Sequence, residues 1–231
     1  MNLFRTYLND FLELFYPQLC LVCGNNLLKQ EELVCLDCLH HLPRTNYHLT
    51  DDNPVAQIFY GRVRLEAATA FFFFSKGSKY QKLLHHLKYK GLKEVGTIMG
   101  RHFATDINQS PLFATVDIIC PVPLHPKKEK KRGYNQSDFI AKGIAEGMNK
   151  QLVTDNLIRV VHTDSQTRKG RYERWENVEG IFELSRPEEF AGKHILLVDD
   201  VVTTGSTLEA CAIAILAADN ARVSVATLGC A

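Results

Sequence analysis

The chain has 231 residues, of which 45% are hydrophobic and 23% are charged. This length suits one α/β domain with a small addition, and the composition excludes disordered, collagen-like and coiled-coil proteins. Lys and Arg number 27 against 26 Asp and Glu, giving a formal charge of +1. Any attraction to phosphate must therefore come from local clusters of basic side chains.

Residues 1–16 place apolar side chains at helical spacing, which predicts a short amphipathic helix that ends before Pro17. Asp10 and Glu13 interrupt the apolar stretch, which argues against a secretory signal. No stretch reaches the roughly 18 apolar residues of a membrane span. We therefore expect a cytoplasmic protein without an integral membrane segment, whose first helix packs on its own protein or docks on a partner or membrane surface.

Four of the seven cysteines form two CxxC pairs separated by eleven residues. In a reducing compartment such pairs indicate metal ligation rather than disulfides. Four thiolates close a tetrahedron around Zn²⁺ and leave no coordination position open, which predicts a structural site in a small module over residues 17–58. An iron–sulfur centre and redox-active pairs are the alternatives. The predicted metal ligands are Cys20, Cys23, Cys35 and Cys38.

From residue 59 to 231 apolar strands alternate with helices, which predicts an α/β domain with a mostly parallel sheet covered by helices on both faces. Strands are predicted at 66–74, 116–120, 195–198 and 222–228, an extended segment at 152–161, and helices at 79–89, 135–148 and 206–218. The remaining cysteines, Cys120, Cys211 and Cys230, are expected to pack in the core.

The segment from Ile195 to Leu208 carries the clearest chemical signal. An apolar strand delivers Asp199 and Asp200 at its carboxyl end, where open α/β sheets bind ligands. Small hydroxyl-bearing residues then lead into a helix whose N–H groups and positive end favour a phosphate. A ligand with a diol and a terminal phosphate satisfies both features; an ordinary helix cap is the alternative. The predicted binding residues are Asp199, Asp200, Val201, Val202, Thr203, Thr204, Gly205, Ser206 and Thr207.

This segment resembles the phosphoribosyl pyrophosphate (PRPP) signature of the type I phosphoribosyltransferases. With the other motifs, in their order along the chain, it resembles the ComF family, whose members are associated with DNA uptake in competent bacteria. The further motifs are the two CxxC pairs, Leu87-Lys88-Tyr89, Pro121 to His125, Arg132 to Gln136, and Gln166 with Arg171, Arg174 and Asn177. The resemblance implies a type I phosphoribosyltransferase fold joined to a zinc module.

The resemblance also implies roles for basic and polar residues. Leu124 and His125 would lie beside pyrophosphate, in a loop after the strand at 116–120 that continues through the basic residues 127–132. Arg132 would stabilise this leaving group, and Gly133 would open the next helix. The segment 162–178 would be a flexible loop that closes over PRPP and brings Arg171 and Arg174 to the departing pyrophosphate. Mg²⁺ would bridge pyrophosphate oxygens and ribose hydroxyls while a nitrogen nucleophile attacks the ribose.

Three functions are compatible with these motifs. The first is a PRPP-binding, Mg²⁺-dependent phosphoribosyltransferase with an unknown acceptor. The second is a sensor that binds PRPP or a nucleotide without catalysis. The third is a factor that handles single-stranded DNA, alone or with a protein of the competence machinery, through the zinc module, residues 127–132 and nearby aromatic side chains.

Overall fold

The computed structural model describes residues 17–160 and 181–231. The helix predicted at 1–16 and the loop predicted at 162–178, with Arg171 and Arg174, lie outside the described residues. The strands are β1 (Ala68–Phe73), β2 (Ile118–Pro121), β3 (Gln151–Leu152), β4 (Leu157–Arg159), β5 (Phe182–Leu184), β6 (His194–Val202) and β7 (Arg222–Cys230). The helices are α1 (Leu36–His40), α2 (Pro54–Gln57), α3 (Gln81–Tyr89), α4 (Glu94–Ile107), α5 (Pro126–Arg132), α6 (Gln136–Met148), α7 (Pro187–Phe190) and α8 (Ser206–Leu216).

Five strands form a parallel sheet in the order β1-β7-β6-β2-β3, and β4 pairs with β5 in a separate antiparallel ribbon. The central strand β6 begins with an apolar run, Ile195 to Val198, that is fully buried because helices cover both faces of the sheet. Side chains of α3, α4 and α6 pack on one face, and those of α2, α7 and α8 pack on the other. The predicted fold class is confirmed.

The cysteine-rich residues share the core of the sheet domain. Val22, Val34 and Leu39 belong to the same buried cluster as Leu83 and Leu87 of α3. The buried apolar core is therefore continuous from the cysteines to the sheet, although both CxxC pairs precede every strand of the sheet in sequence. The boundaries at 16/17 and 58/59 stay predictions.

Helix α4 is absent from the elements predicted above, because Gly96 and Gly100 weaken its helical pattern. In the structure these glycines allow close packing on α6. A Cβ at Gly100 would lie 2.4 Å from the Ile140 carbonyl oxygen, and one at Gly143 would lie 2.0 Å from the Thr97 carbonyl oxygen. The glycines thus let two helix backbones approach each other, and the apolar residues between them supply the buried face of α4.

Two expected segments have different structures. Residues 127–132, expected as a basic loop, form most of α5, which Pro126 opens at its first position. Gly133, with φ of 80°, ends this helix instead of opening the next one, and Asn135 caps α6. The extended segment at 152–161 contains the end of β3 and all of β4, which lie in different sheets.

The outer edge of β1 is covered by residues that follow the cysteines. The N–H of Phe73 donates to the Pro43 carbonyl (2.9 Å), and the N–H of Thr45 donates to the Phe71 carbonyl (3.1 Å). Arg44 and Phe72 form an antiparallel bridge. Residues 43–45 therefore occupy the hydrogen-bonding groups that an edge strand would otherwise expose.

Candidate functional site

Asp199 and Asp200, hereafter the acidic pair, lie in the second half of β6, which continues to Val202 instead of ending at Val198 as predicted. Asp200 Oδ2 forms an ion pair with Lys88 Nζ of α3 at 2.8 Å, and only 15% of the Asp200 side chain is exposed. Asp199 Oδ1 accepts hydrogen bonds from Ser137 Oγ (2.9 Å) and from the N–H of Asp200 (2.8 Å). The two carboxylates are thus held by different helices.

Burial raises the pKa of Asp199 to about 7, and the like charge of Asp200 adds to this effect. The hydrogen bonds from Asp200 and Ser137, and the charge of Lys88, act in the opposite direction and limit the rise. At neutral pH Asp199 is therefore close to the midpoint of its titration. A bound cation would favour its ionised form and release the proton.

Residues 203–207, hereafter the hydroxyl loop, lead from β6 into the first turn of α8. Asp199 and residues 201–208 line a cavity of about 60 Å³, and Thr204 Oγ1 lies 3.2 Å from Ser206 Oγ. The first turn of α8 directs N–H groups that lack partners within the helix toward the loop. Hydroxyls, N–H groups and the positive helix end together favour an anion here. The Val202 side chain is buried.

Gly205 fixes the shape of the hydroxyl loop. Its φ is 73°, in the left-handed region, and a Cβ there would lie 2.6 Å from Ile58 Cγ2 and 2.9 Å from Phe59 Cε1. Only glycine combines this backbone conformation with such close packing. The loop therefore rests directly on the segment after α2.

Arg62 forms a hydrogen bond to the hydroxyl loop and was not among the predicted site residues. Its Nη1 donates to the carbonyl oxygens of Thr204 (2.8 Å) and Ile58 (3.1 Å), and its Nη2 pairs with Glu209 of α8. These bonds tie Thr204 of the hydroxyl loop to the segment after α2 and to α8. Arg62 lies 142 residues from Thr204 in sequence, and no local motif marks it.

The basic residues expected near pyrophosphate have defined contacts. His125 Nδ1 accepts from the N–H of Lys127 (3.1 Å), so the imidazole caps α5. Arg132 donates to Gln136 Oε1 and lies 5.5 Å from the ring centroid of Tyr89. Tyr89 follows Lys88, so the structure brings Arg132 to the same end of α3 as the ion pair with Asp200. Leu124, like His125, is half-buried.

The four predicted ligands converge at a candidate metal site. All four Sγ atoms lie within 4.8 Å of one another, and the Cys23 and Cys35 sulfurs are 3.7 Å apart. A tetrahedral ion with Zn–S bonds of about 2.3 Å requires sulfurs about 3.8 Å apart. The cluster therefore fits a metal ion such as zinc. Cys23 is exposed, whereas Cys20, Cys35 and Cys38 are buried.

Backbone groups favour ionisation of one sulfur, that of Cys20, whereas burial raises the pKa of Cys35 and of Cys38. The N–H of Cys35 lies 3.4 Å from Cys20 Sγ, and the N–H of Cys38 lies 3.5 Å from Cys35 Sγ. Burial raises the pKa of Cys20, but hydrogen bonds from the backbone at Cys23, Cys35 and Val22 lower it to about 6. At least one thiolate is thus present at neutral pH to receive a cation.

The remaining cysteines have no contact with this cluster. Cys120 and Cys211 are buried, as predicted, with the side chains on the sheet face that α2, α7 and α8 cover, and Cys230 at the end of β7 is half-buried. Burial raises the pKa of all three thiols. Raised pKa values disfavour the nucleophilic thiolate, which supports a packing role.

Among the described residues, no helix is both long and apolar enough to cross a membrane.

Comparison with known proteins relates this chain to a family. Residues 137–229 match the family model of the phosphoribosyl transferase domain. DNA utilization protein YhgH of Escherichia coli O157:H7 is 30% identical over 146 residues, 62% of this chain and 63% of that protein. Competence protein F of Haemophilus influenzae is 36% identical over 40% of this chain and 41% of that protein. Competence protein ComFC of Bacillus subtilis is 23% identical over 82% of this chain and 85% of that protein.

The match with the phosphoribosyl transferase domain includes Ser137, the acidic pair, the hydroxyl loop and α8. The four cysteines and Lys88 lie before it. The chain spans 63% of the length of the YhgH relative, whereas the similarity to ComFC extends over most of both chains.

Proposed function

This chain belongs to the ComF family of phosphoribosyltransferase-domain proteins, and from that premise we propose that it binds PRPP and transfers its phosphoribosyl group to an acceptor. The observation that carries the proposal is the cavity shared by Asp199 and the hydroxyl loop. In this proposal the 5′-phosphate lies in the hydroxyl loop and the ribose diol lies at the acidic pair. The acceptor is a nitrogen nucleophile of unassigned structure.

The acidic pair supplies oxygen ligands of the kind that Mg²⁺ prefers, directly or through water. When bound with PRPP, Mg²⁺ would supply positive charge beside the pyrophosphate leaving group. In this proposal the carboxylates of the acidic pair accept hydrogen bonds from the ribose hydroxyls, and the hydroxyl loop donates hydrogen bonds to the 5′-phosphate.

In this proposal basic side chains stabilise the pyrophosphate leaving group. Arg132 is attached to the end of α3 through Tyr89, next to Lys88 and the acidic pair. We assign Arg132, with Arg171 and Arg174, to the departing pyrophosphate, and Leu124 and His125 to the loop beside it. Fixed positive charges stabilise charge that develops in the transition state without reorganising solvent. We also place the protein in the cytoplasm, where reducing conditions keep the four cysteines available to a metal.

The binding proposal is tested by calorimetric titration of PRPP with Mg²⁺ into the wild type and into the double variant Asp199→Asn, Asp200→Asn. We expect affinity to fall about 100-fold or more, because each lost hydrogen bond to a charged group contributes about 1.5–3 kcal/mol. The control is Asp155→Asn, an exposed carboxylate paired with Arg186 outside the site. Equal affinities of the wild type and the double variant would refute the proposal.

Catalysis and sensing are separated by measuring pyrophosphate release with a panel of bases and amines. Release that depends on an acceptor and is lost in the double variant establishes the transferase. Tight binding of PRPP without release from any acceptor in the panel favours the sensor.

One surface favours a second candidate function, the binding of single-stranded DNA. The Tyr89 side chain is 66% exposed, with Arg132 over one side of its ring and the His85 ring 5.2 Å away. The adjacent helix α5 carries five basic residues and one glutamate. Exposed aromatic rings among basic side chains are typical of sequence-tolerant binding of single strands.

The DNA proposal is tested with Tyr89→Ala and an oligothymidylate. Loss of one stacking ring is expected to weaken binding about 5- to 100-fold, from about 1–3 kcal/mol per stacked base. Tyr60→Ala, which removes a ring 60% exposed elsewhere on the molecule, is the matched control. An affinity for oligothymidylate that changes neither in Tyr89→Ala nor with the salt concentration would argue against DNA binding at this surface.

A further inference from the structure

Helix α3 contacts the four-cysteine cluster at its first turn. Tyr80 immediately precedes the helix and is buried, and its Oη donates to the Cys38 carbonyl at 3.1 Å. Lys82 Nζ donates to the Val22 carbonyl at 3.2 Å. Val22 lies inside the first CxxC pair and Cys38 ends the second. Both pairs therefore hold the beginning of α3.

The other end of α3 contacts the proposed ligand site. The Leu87 carbonyl accepts a hydrogen bond from Tyr134, and Lys88 forms the ion pair with Asp200. Lys88 lies eight positions after Tyr80, which corresponds to about 12 Å of helix at 1.5 Å per residue. One rigid element thus spans the distance between the cysteines and the acidic pair.

Core packing prevents α3 from moving independently of the cysteine-rich region. Leu83 and Leu87 are 1% and 0% exposed, in the cluster that also contains Val22 and Val34 from the cysteine-rich region. Protein cores are close-packed, so a displacement of one side of such a cluster displaces the other.

We propose that α3 couples the metal site to the acidic pair, with Lys88 as the positioning residue through which metal occupancy sets the affinity for ligand. The identity of the ligand, PRPP, rests on the function proposed above. A metal ion holds the two CxxC pairs in one geometry, because a module of this size has little core of its own. The carbonyls of Cys38 and Val22 then fix the start of α3, and the helix fixes Lys88 against Asp200.

Such coupling is reciprocal, so bound ligand must also make the metal harder to remove. This consequence distinguishes the proposal from independent sites in one domain. It also supplies a measurement that does not depend on catalysis: the rate at which a chelator takes zinc from the holoprotein.

The experiment uses the zinc-loaded full chain as wild type, Tyr80→Phe, Lys88→Met and Lys90→Met. Tyr80→Phe removes only the hydroxyl that contacts Cys38, and Lys90→Met removes an exposed charge at the same end of α3. We expect PRPP with Mg²⁺ to slow zinc transfer from the wild type and from Lys90→Met about fivefold or more, a typical coupling. In Tyr80→Phe and Lys88→Met, each retaining one zinc per chain, the slowing should disappear. Saturating PRPP that leaves wild-type transfer unchanged, or slows Tyr80→Phe equally, overturns the coupling.

Hydrogen exchange without ligand keeps the inference separate from the proposed function. Zinc removal from the wild type should accelerate exchange of the amides of residues 81–89 and 199–203, and less so those of α8. Faster exchange in 81–89 with unchanged exchange in 199–203 overturns the coupling. A wild type that fails to bind PRPP refutes the proposed function, and this exchange pattern then decides the coupling alone.

Discussion

Asp199 shows how a local environment prepares a single side chain for ligand binding. Its raised pKa, about 7, follows from burial and from the neighbouring Asp200, and Ser137 limits the rise. The position of both aspartates directly after the apolar run of β6 and just before the hydroxyl loop was predictable from sequence, because these segments are contiguous. The contacts of Ser137 and Lys88 with the acidic pair, and of Arg62 with Thr204, were not predictable, because only the folded chain brings these distant residues together.

Binding of PRPP with Mg²⁺ is expected to expel the proton of Asp199, because a cation favours the carboxylate. Affinity should therefore rise from pH 6 to pH 8, and calorimetry in buffers of different ionisation enthalpy should register proton release near pH 7. Ser137→Ala removes a hydrogen bond that lowers this pKa, so the midpoint should move to higher pH. An identical midpoint in the variant would show that Ser137 does not control the titration.

Asp199 should also lower stability at higher pH. Its pKa is higher in the folded state (about 7) than the ordinary 3.8, so the folded state holds the extra proton and stability falls as pH rises from about 4 to 7. Asp199→Asn removes this loss. We expect the variant to gain more unfolding free energy relative to wild type at pH 8 than at pH 4, measured by urea denaturation. A gain independent of pH would contradict this account.

Among the elements, the helix pair α4 and α6 shows where sequence patterns reach their limit. Val95, Met99 and Phe103 of α4 do have helical spacing, but glycines lie between them. The close approach that explains Gly96 and Gly100 depends on Gly143 of α6, some forty residues away. Helix α5 was missed for another reason: a run of lysines carries no apolar period, and Pro126 with the His125 cap starts the helix instead.

Gly143→Ala is expected to destabilise the protein by about 1–3 kcal/mol, the usual cost of overpacking. The new Cβ would lie 2.0 Å from the Thr97 carbonyl oxygen and 3.0 Å from the Arg101 nitrogen, both backbone atoms that cannot rotate away. Chemical denaturation measures the change. Lys142→Ala, at the neighbouring exposed position of the same helix, should change stability by less than about 0.5 kcal/mol. If Gly143→Ala and Lys142→Ala both changed the unfolding free energy by less than about 0.5 kcal/mol, α4 and α6 would be able to move apart easily.

At the scale of the whole molecule, alternation of strands and helices was sufficient to predict the parallel sheet and its two helical layers. The integration of the cysteine-rich residues into the same core was not predictable, because CxxC spacing reports on ligands and not on packing. Residues 43–45 add a further link, since they cover the edge of β1.

Removal of zinc by a chelator should therefore release this cover and promote self-association through β1. We expect larger species in size-exclusion chromatography with light scattering at micromolar concentration, reversed when zinc is returned. Phe73→Lys places a charge on an exposed position of the same strand and should suppress the association. Chelated wild type that stays at its original size would show that residues 43–45 hold the edge without the metal.

The order of residues in the chain gives this cover a role during synthesis on the ribosome. Ala68 of β1 pairs with Val225 of β7. The ribosome must therefore add 157 further residues after Ala68 before the strand that pairs with β1 in the folded protein has been synthesised. At 5–20 residues per second that delay is roughly 8–30 s. Residues 43–45 emerge first, and we expect them to shield one side of the strand during this delay. Zinc supply in the growing cell would then influence how much of the nascent protein reaches its native state.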